Sequence, residues 1–115
     1  MRESKETILA GHVVKALTGR DNGRWFLVVG EQKGPYLLLA DGRTRRMARP
    51  KKKNIRHVHD LGMPEDAPQL LKSIGEMRDD GQREAAIRVY IGRYRQLLDP
   101  AAQAGDLTVK EKEKW

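Results

Sequence analysis

The chain has 115 residues, 38% apolar and 34% charged, with 23 lysines and arginines against 16 aspartates and glutamates. That length holds one domain, or a very small one with a helical segment attached, and excludes a large enzyme core. No cysteine is present, which excludes disulfides, thiolate metal sites and cysteine nucleophiles and fits a reducing compartment.

Residues 12–17 (HVVKAL) are short, partly alternating and bounded by glycine, and they predict a first strand. Gly19-Arg20-Asp21-Asn22-Gly23 supplies residues that tolerate a positive φ. Residues 24–29 (RWFLVV) are then dense in β-formers, so the two segments predict a hairpin with a glycine-framed loop. Lys33-Gly34-Pro35 turns the chain into a third strand over 36–40, and Asp41-Gly42 is the strongest hairpin signal in the sequence. A basic returning strand over 43–49 is expected from it, ended by Pro50. Residues 54–58 are the expected fifth strand, with Ile55 and Val58 as core contacts. Short strands at this spacing predict a small antiparallel barrel of the SH3-like kind, mainly β.

From residue 61 the pattern changes. Leu70, Leu71, Ile74 and Met77 keep helical spacing after the acidic Glu65-Asp66, which predicts a helix over 67–78. Ile87, Tyr90, Ile91, Tyr94, Leu97 and Leu98 form the apolar stripe of a second helix, which Asp99-Pro100 ends. Gly92 inside it costs about 1 kcal/mol relative to alanine and suggests close packing on the barrel. The expected organisation is a barrel over 8–60, a two-helix extension over 61–100 and a mobile charged tail over 101–115. A barrel this small buries only about 60% of its unfolded surface, so the helices are expected to help cover an apolar flank.

The charge is unevenly placed. Residues 1–60 carry 14 lysines and arginines against 6 acids, a balance of +8, and residues 61–115 carry 9 against 10, a balance of −1. Between Arg43 and Arg56 stand eight basic residues and no acid: Arg43, Arg45, Arg46, Arg49, Lys51, Lys52, Lys53 and Arg56. Such a density repels itself unless it meets a polyanion, so phosphate contact is favoured over a solvated loop. Nucleic acid is the expected partner, with DNA as well as RNA satisfying the charge. No nucleophile–base constellation or phosphate-binding loop of a nucleotide hydrolase is present, so no enzyme activity and no cofactor are expected. His57 and His59 share one side of an extended segment without a carboxylate partner, a weak pattern for a metal. Trp25 and Phe26 point to opposite faces of their strand, so only one can be a core residue; an exposed aromatic beside Arg24 would be a base-stacking platform, and the alternative is Phe26 in the core with Trp25 partly buried. No segment approaches the ~20 apolar residues of a membrane helix or shows a signal-peptide pattern, and a cytoplasmic protein without membrane contact is expected.

Residues 11–29, GHVVKALTGRDNGRWFLVV, resemble the KOW motif of ribosomal proteins and transcription-elongation factors. They look most like the KOW proteins of archaeal and eukaryotic large ribosomal subunits and the short bacterial KOW-containing RNA-binding proteins. The similarity continues through Tyr36-Leu37-Leu38-Leu39-Ala40-Asp41-Gly42 and Lys53-Asn54-Ile55-Arg56-His57-Val58, and covers residues 8–60. Residues 61–115 do not match. The resemblance implies an SH3-like barrel that binds structured RNA, ribosomal RNA or the ribosome first among them. Gly19, Arg20, Asp21, Gly23 and Arg24 would form the motif loop, with Lys15 on the strand before it. With the basic residues of 43–56 and His57 they make the expected RNA-contacting set. The alternative is an SH3-like interaction module whose basic edge docks an acidic protein, while the helices hold a further protein partner.

Overall fold

The computed structural model describes residues 8–98. Five strands, β1 (Val13–Ala16), β2 (Trp25–Gln32), β3 (Tyr36–Ala40), β4 (Lys51–Asn54) and β5 (Val58–Asp60), precede two helices, α1 (Ala67–Glu76) and α2 (Asp80–Leu98). The sheet is antiparallel with order β4-β3-β2-β1-β5. The expected class, mainly β followed by two helices, is what the chain adopts. Residues 99–115, and with them the charged tail, lie outside the described residues.

β4 and β5 lie at opposite edges of the sheet, yet only a 3-10 turn, Ile55–His57, separates them in sequence. A flat five-stranded sheet would set its edges about 19 Å apart, whereas the four steps from Asn54 to Val58 reach at most about 14 Å. The sheet is therefore strongly curled. The turn is anchored at both ends, with the Ile55 N–H donating to the Pro35 carbonyl at 2.7 Å and the Leu17 N–H to that of His57 at 2.9 Å. No ladder pairs β4 with β5, so the expected barrel is here a curled, open sheet.

Alternation along the strands divides the apolar residues between two faces. Val14, Ala16, Phe26, Val28, Leu37, Leu39 and Val58 fill the concave side with Ile8, and Ile55 packs against them. Val13, Leu27 and Ala40 face the other way, onto Ala67 of α1 and Ile74, Ile87 and Tyr90 of the two helices. Both sheet faces are thus covered, and the change near residue 60 is one of secondary structure within a shared outer core. Tyr90 and Tyr94 enter this core hydroxyl first: Tyr90 Oη donates to the Gly11 carbonyl at 2.7 Å and Tyr94 Oη to that of Leu61 at 2.8 Å. Burial, aided by the negative charge of Asp66 and by Tyr94, pushes the Tyr90 pKa up to about 12.

Two expected strands are corrected. Residues 43–49 form no strand because Asp41 competes for their N–H groups: Oδ1 accepts from Arg43 N at 2.9 Å and Arg45 N at 2.8 Å, and Oδ2 accepts the Thr44 hydroxyl at 2.9 Å. The fourth strand begins only after Pro50. The fifth is shifted in the same direction, because the Asn54 side chain accepts the Arg56 N–H and turns 55–57 into a 3-10 helix before β5 begins at Val58.

Candidate nucleic-acid interface

Two loops meet at one end of the curled sheet: the motif loop, residues 17–24, between β1 and β2, and the arginine loop, residues 41–50, between β3 and β4. Their union is built from ion pairs and capped carboxylates. Asp21 is buried, and its Oδ2 accepts from Lys51 Nζ at the start of β4, 2.7 Å away. Arg24 Nε lies 3.9 Å from the other oxygen of Asp21, while Arg24 Nη1 donates to Thr44 at 3.2 Å and lies 3.6 Å from Asp41. Lys53 Nζ closes the arrangement by donating to the Thr18 carbonyl at 3.0 Å.

Both carboxyls are held ionised. The Lys51 hydrogen bond lowers the Asp21 pKa against the opposing effect of burial, helped by the charges of Lys51, Arg45 and Arg24. For Asp41 burial opposes ionisation most strongly, yet the N–H groups of Arg45 and Arg43 and the Thr44 hydroxyl outweigh it and the pKa falls.

The arginine loop is gripped from its other side by α2. Glu84 is buried at the start of that helix, and its carboxylate accepts the Met47 N–H at 3.1 Å. One turn later Arg88 donates from Nη1 to the Gly42 carbonyl. Gly42 has φ +79°, and a β-carbon there would stand 2.4 Å from the Glu84 carbonyl oxygen, so the close approach of loop and helix requires glycine. The loop is a fixed platform, from which Arg43, Arg46 and Arg49 project exposed and Arg45 half-exposed.

The expected contact residues therefore fall into separate groups. Arg20, Arg24, Arg43, Arg45, Arg46 and Arg49 share the end formed by the two loops. Lys51 and Lys53 belong to the same end but turn inward to Asp21 and Thr18, and Asp21 itself faces the interior. Gly19 and Gly23 are turn positions with φ of +80° and +91°. Lys52 projects from the opposite side of β4, its Nζ 4.5 Å from the centre of the Tyr36 ring. Arg56 lines an opening with Tyr36, and His57 is exposed on the neighbouring turn. Lys15 is exposed in mid-strand, in register with Trp25 and His59, away from the two loops. Phe26 is the core aromatic of its pair, and Trp25 is half-buried on the outer face with the Arg95 guanidinium 5.0 Å above its ring.

Sequence reasoning missed the helical contribution to this end, namely Glu84, Arg88 and Arg95. A signal existed. Glu84 falls on the apolar stripe three residues before Ile87, where a charge needs a buried partner, and Arg88 and Arg95 stand seven residues apart on one helix face. Among the described residues no group of three or more histidine, cysteine or acidic side chains is arranged to hold a metal ion, and no helix is long and apolar enough to cross a membrane. No protein-family model matches the chain, and no curated protein matches it significantly.

Proposed function

We propose that this chain is a non-catalytic RNA-binding protein that contacts ribosomal or other structured RNA through the basic end of its curled sheet. One observation carries the reading. The backbone of the arginine loop is tied by Asp41 on one side and by Glu84 and Arg88 on the other, while the exposed Arg43, Arg46 and Arg49 make no ion pair among the described residues. A loop ordered in advance loses little conformational freedom on binding, and cations without acidic partners keep their full attraction for phosphate. Arg20, on the neighbouring loop, extends the cationic surface. RNA is preferred to DNA on the resemblance of residues 8–60 to KOW proteins, and base preference would come from unpaired nucleotides or RNA shape.

The test is binding of the full chain to purified ribosomal RNA, an RNA hairpin and the matching DNA hairpin at two salt concentrations. The reading expects both RNAs to bind more tightly than the DNA. If four to six cations neutralise duplex phosphates, log affinity should fall against log salt with a slope of about −4 to −5. Failure of all three to bind at moderate salt would contradict it and favour an acidic protein as the partner.

A further inference from the structure

A groove of about 390 Å³ lies between the motif loop, the arginine loop and α2, and the basic run of 43–56 does not account for it. Four arginines line it, Arg24, Arg43, Arg88 and Arg95, against a single acid, Asp41. That carboxylate is already bonded to loop N–H groups, so the groove is strongly cationic. Arg24 and Arg88 spend one donor each on Thr44 and Gly42 and keep other N–H groups of their forks. Trp25 contributes the aromatic surface, stacked with Arg95.

The second feature is Gly92, which lines the same groove. It lies within a helix, where glycine is unfavourable. No atom comes within 4 Å of the position its β-carbon would occupy, so the expected close packing against the sheet is not its role. Its effect is to leave a gap in the helix wall between Arg88 and Arg95, directly over the groove. A volume near the lower end of the ~300–1,000 Å³ range of small-ligand sites, with a clustered cation set and one aromatic platform, matches a phosphate joined to a single planar base. Arginine and aromatic planes together are the stacking surface that unpaired bases use.

Building on the proposed function, we infer that this groove receives one unpaired nucleotide of the bound RNA. Arg43 and Arg88 hold its phosphate, and its base stacks on the Trp25–Arg95 pair. The arginine loop would then grip the helical part of an RNA and the groove a nucleotide splayed out beside it.

Trp25 reports on this directly. The chain has two tryptophans, so Trp115→Phe leaves Trp25 as the sole tryptophan, excited selectively beyond the tyrosine absorption band. Three RNAs are titrated into that full-length protein: a blunt duplex, the same duplex with a short single-stranded overhang, and the overhang form with abasic nucleotides. The inference expects Trp25 emission to be quenched by the base-bearing overhang alone. It further expects Arg95→Ala to weaken the gain in affinity from the overhang by about tenfold. Gly92→Leu should abolish the quenching while the melting temperature stays level or rises, which separates a blocked groove from a damaged fold. Binding of the RNAs with unchanged Trp25 emission, or equal quenching by the abasic overhang, would overturn the inference and leave the proposed function standing. Failure of every RNA to bind would remove both.

Discussion

The buried carboxylate of Glu84, near the start of α2, accepts the backbone N–H of Met47, 37 residues earlier in the chain, at 3.1 Å. A helix that follows the sheet in sequence thereby holds the loop that displays the arginines. Glu84→Ala should lower stability by about 1–3 kcal/mol, because the Met47 N–H loses its partner. Glu84→Gln, which keeps an acceptor oxygen, should lose less. Equilibrium denaturation measures both, and hydrogen exchange at Met47 should rise in the alanine variant.

Gly42 meets the same helix. Gly42→Ala places a β-carbon against the Glu84 carbonyl in a backbone conformation of positive φ, and should cost about 2–4 kcal/mol. Gly23 shares the positive φ but has no atom within 4 Å of the β-carbon position, so Gly23→Ala should cost only about 1 kcal/mol. Denaturation of the two variants side by side separates steric conflict from backbone strain.

Acid should loosen this end first. Asp21 and Asp41 have folded pKa values below the ordinary 3.8, so the unfolded chain takes up protons before the folded one does. Their stabilisation is complete above pH 3.8 and is lost as pH falls through the lower folded values. Stability should therefore decline below about pH 4, and Asp21→Asn should flatten that decline while lowering stability at neutral pH. Denaturant unfolding between pH 2 and 7 checks the sign.

The basic residues should divide by what they touch. Lys51 neutralises Asp21 inside the joint between the loops, so Lys51→Ala should cost about 1–2 kcal/mol of stability. Arg46 and Arg49 are exposed and carry no ion pair among the described residues, so their alanine variants should keep the parent melting temperature and lose RNA affinity. Melting curves and binding isotherms on the same three variants test the division.

Local pattern made the first three strands and both helices readable in the sequence, because alternation and helical spacing are properties of neighbouring residues; it also showed that only one of Trp25 and Phe26 could face inward, and the fold puts Phe26 there. The fourth strand was not readable in its place. Asp41-Gly42 carries a hairpin signal, but whether the Asp41 side chain or the sheet takes the following N–H groups is decided by packing against Glu84 and Arg88, some forty residues away. Charge counting misled in the same way. A balance of −1 over 61–115 conceals that, within α2, Arg88, Arg93 and Arg95 follow Glu84 without another acid, and that the fold brings Arg88 and Arg95 to the basic end. The eight-residue basic run, read as one surface, is divided by the fold: alternation along β4 turns Lys51 and Lys53 to brace the loops and Lys52 to the opposite side, while the arginines of 43–49 sit on a loop.

The most direct measurement is the affinity of an RNA hairpin for the parent chain and for a variant carrying Arg45→Glu, Arg46→Glu and Arg49→Glu, with melting curves recorded for both. The account predicts salt-sensitive binding by the parent, and its loss in a variant that still unfolds cooperatively. Undiminished binding by the folded variant would contradict the claim that this basic end is where RNA is held.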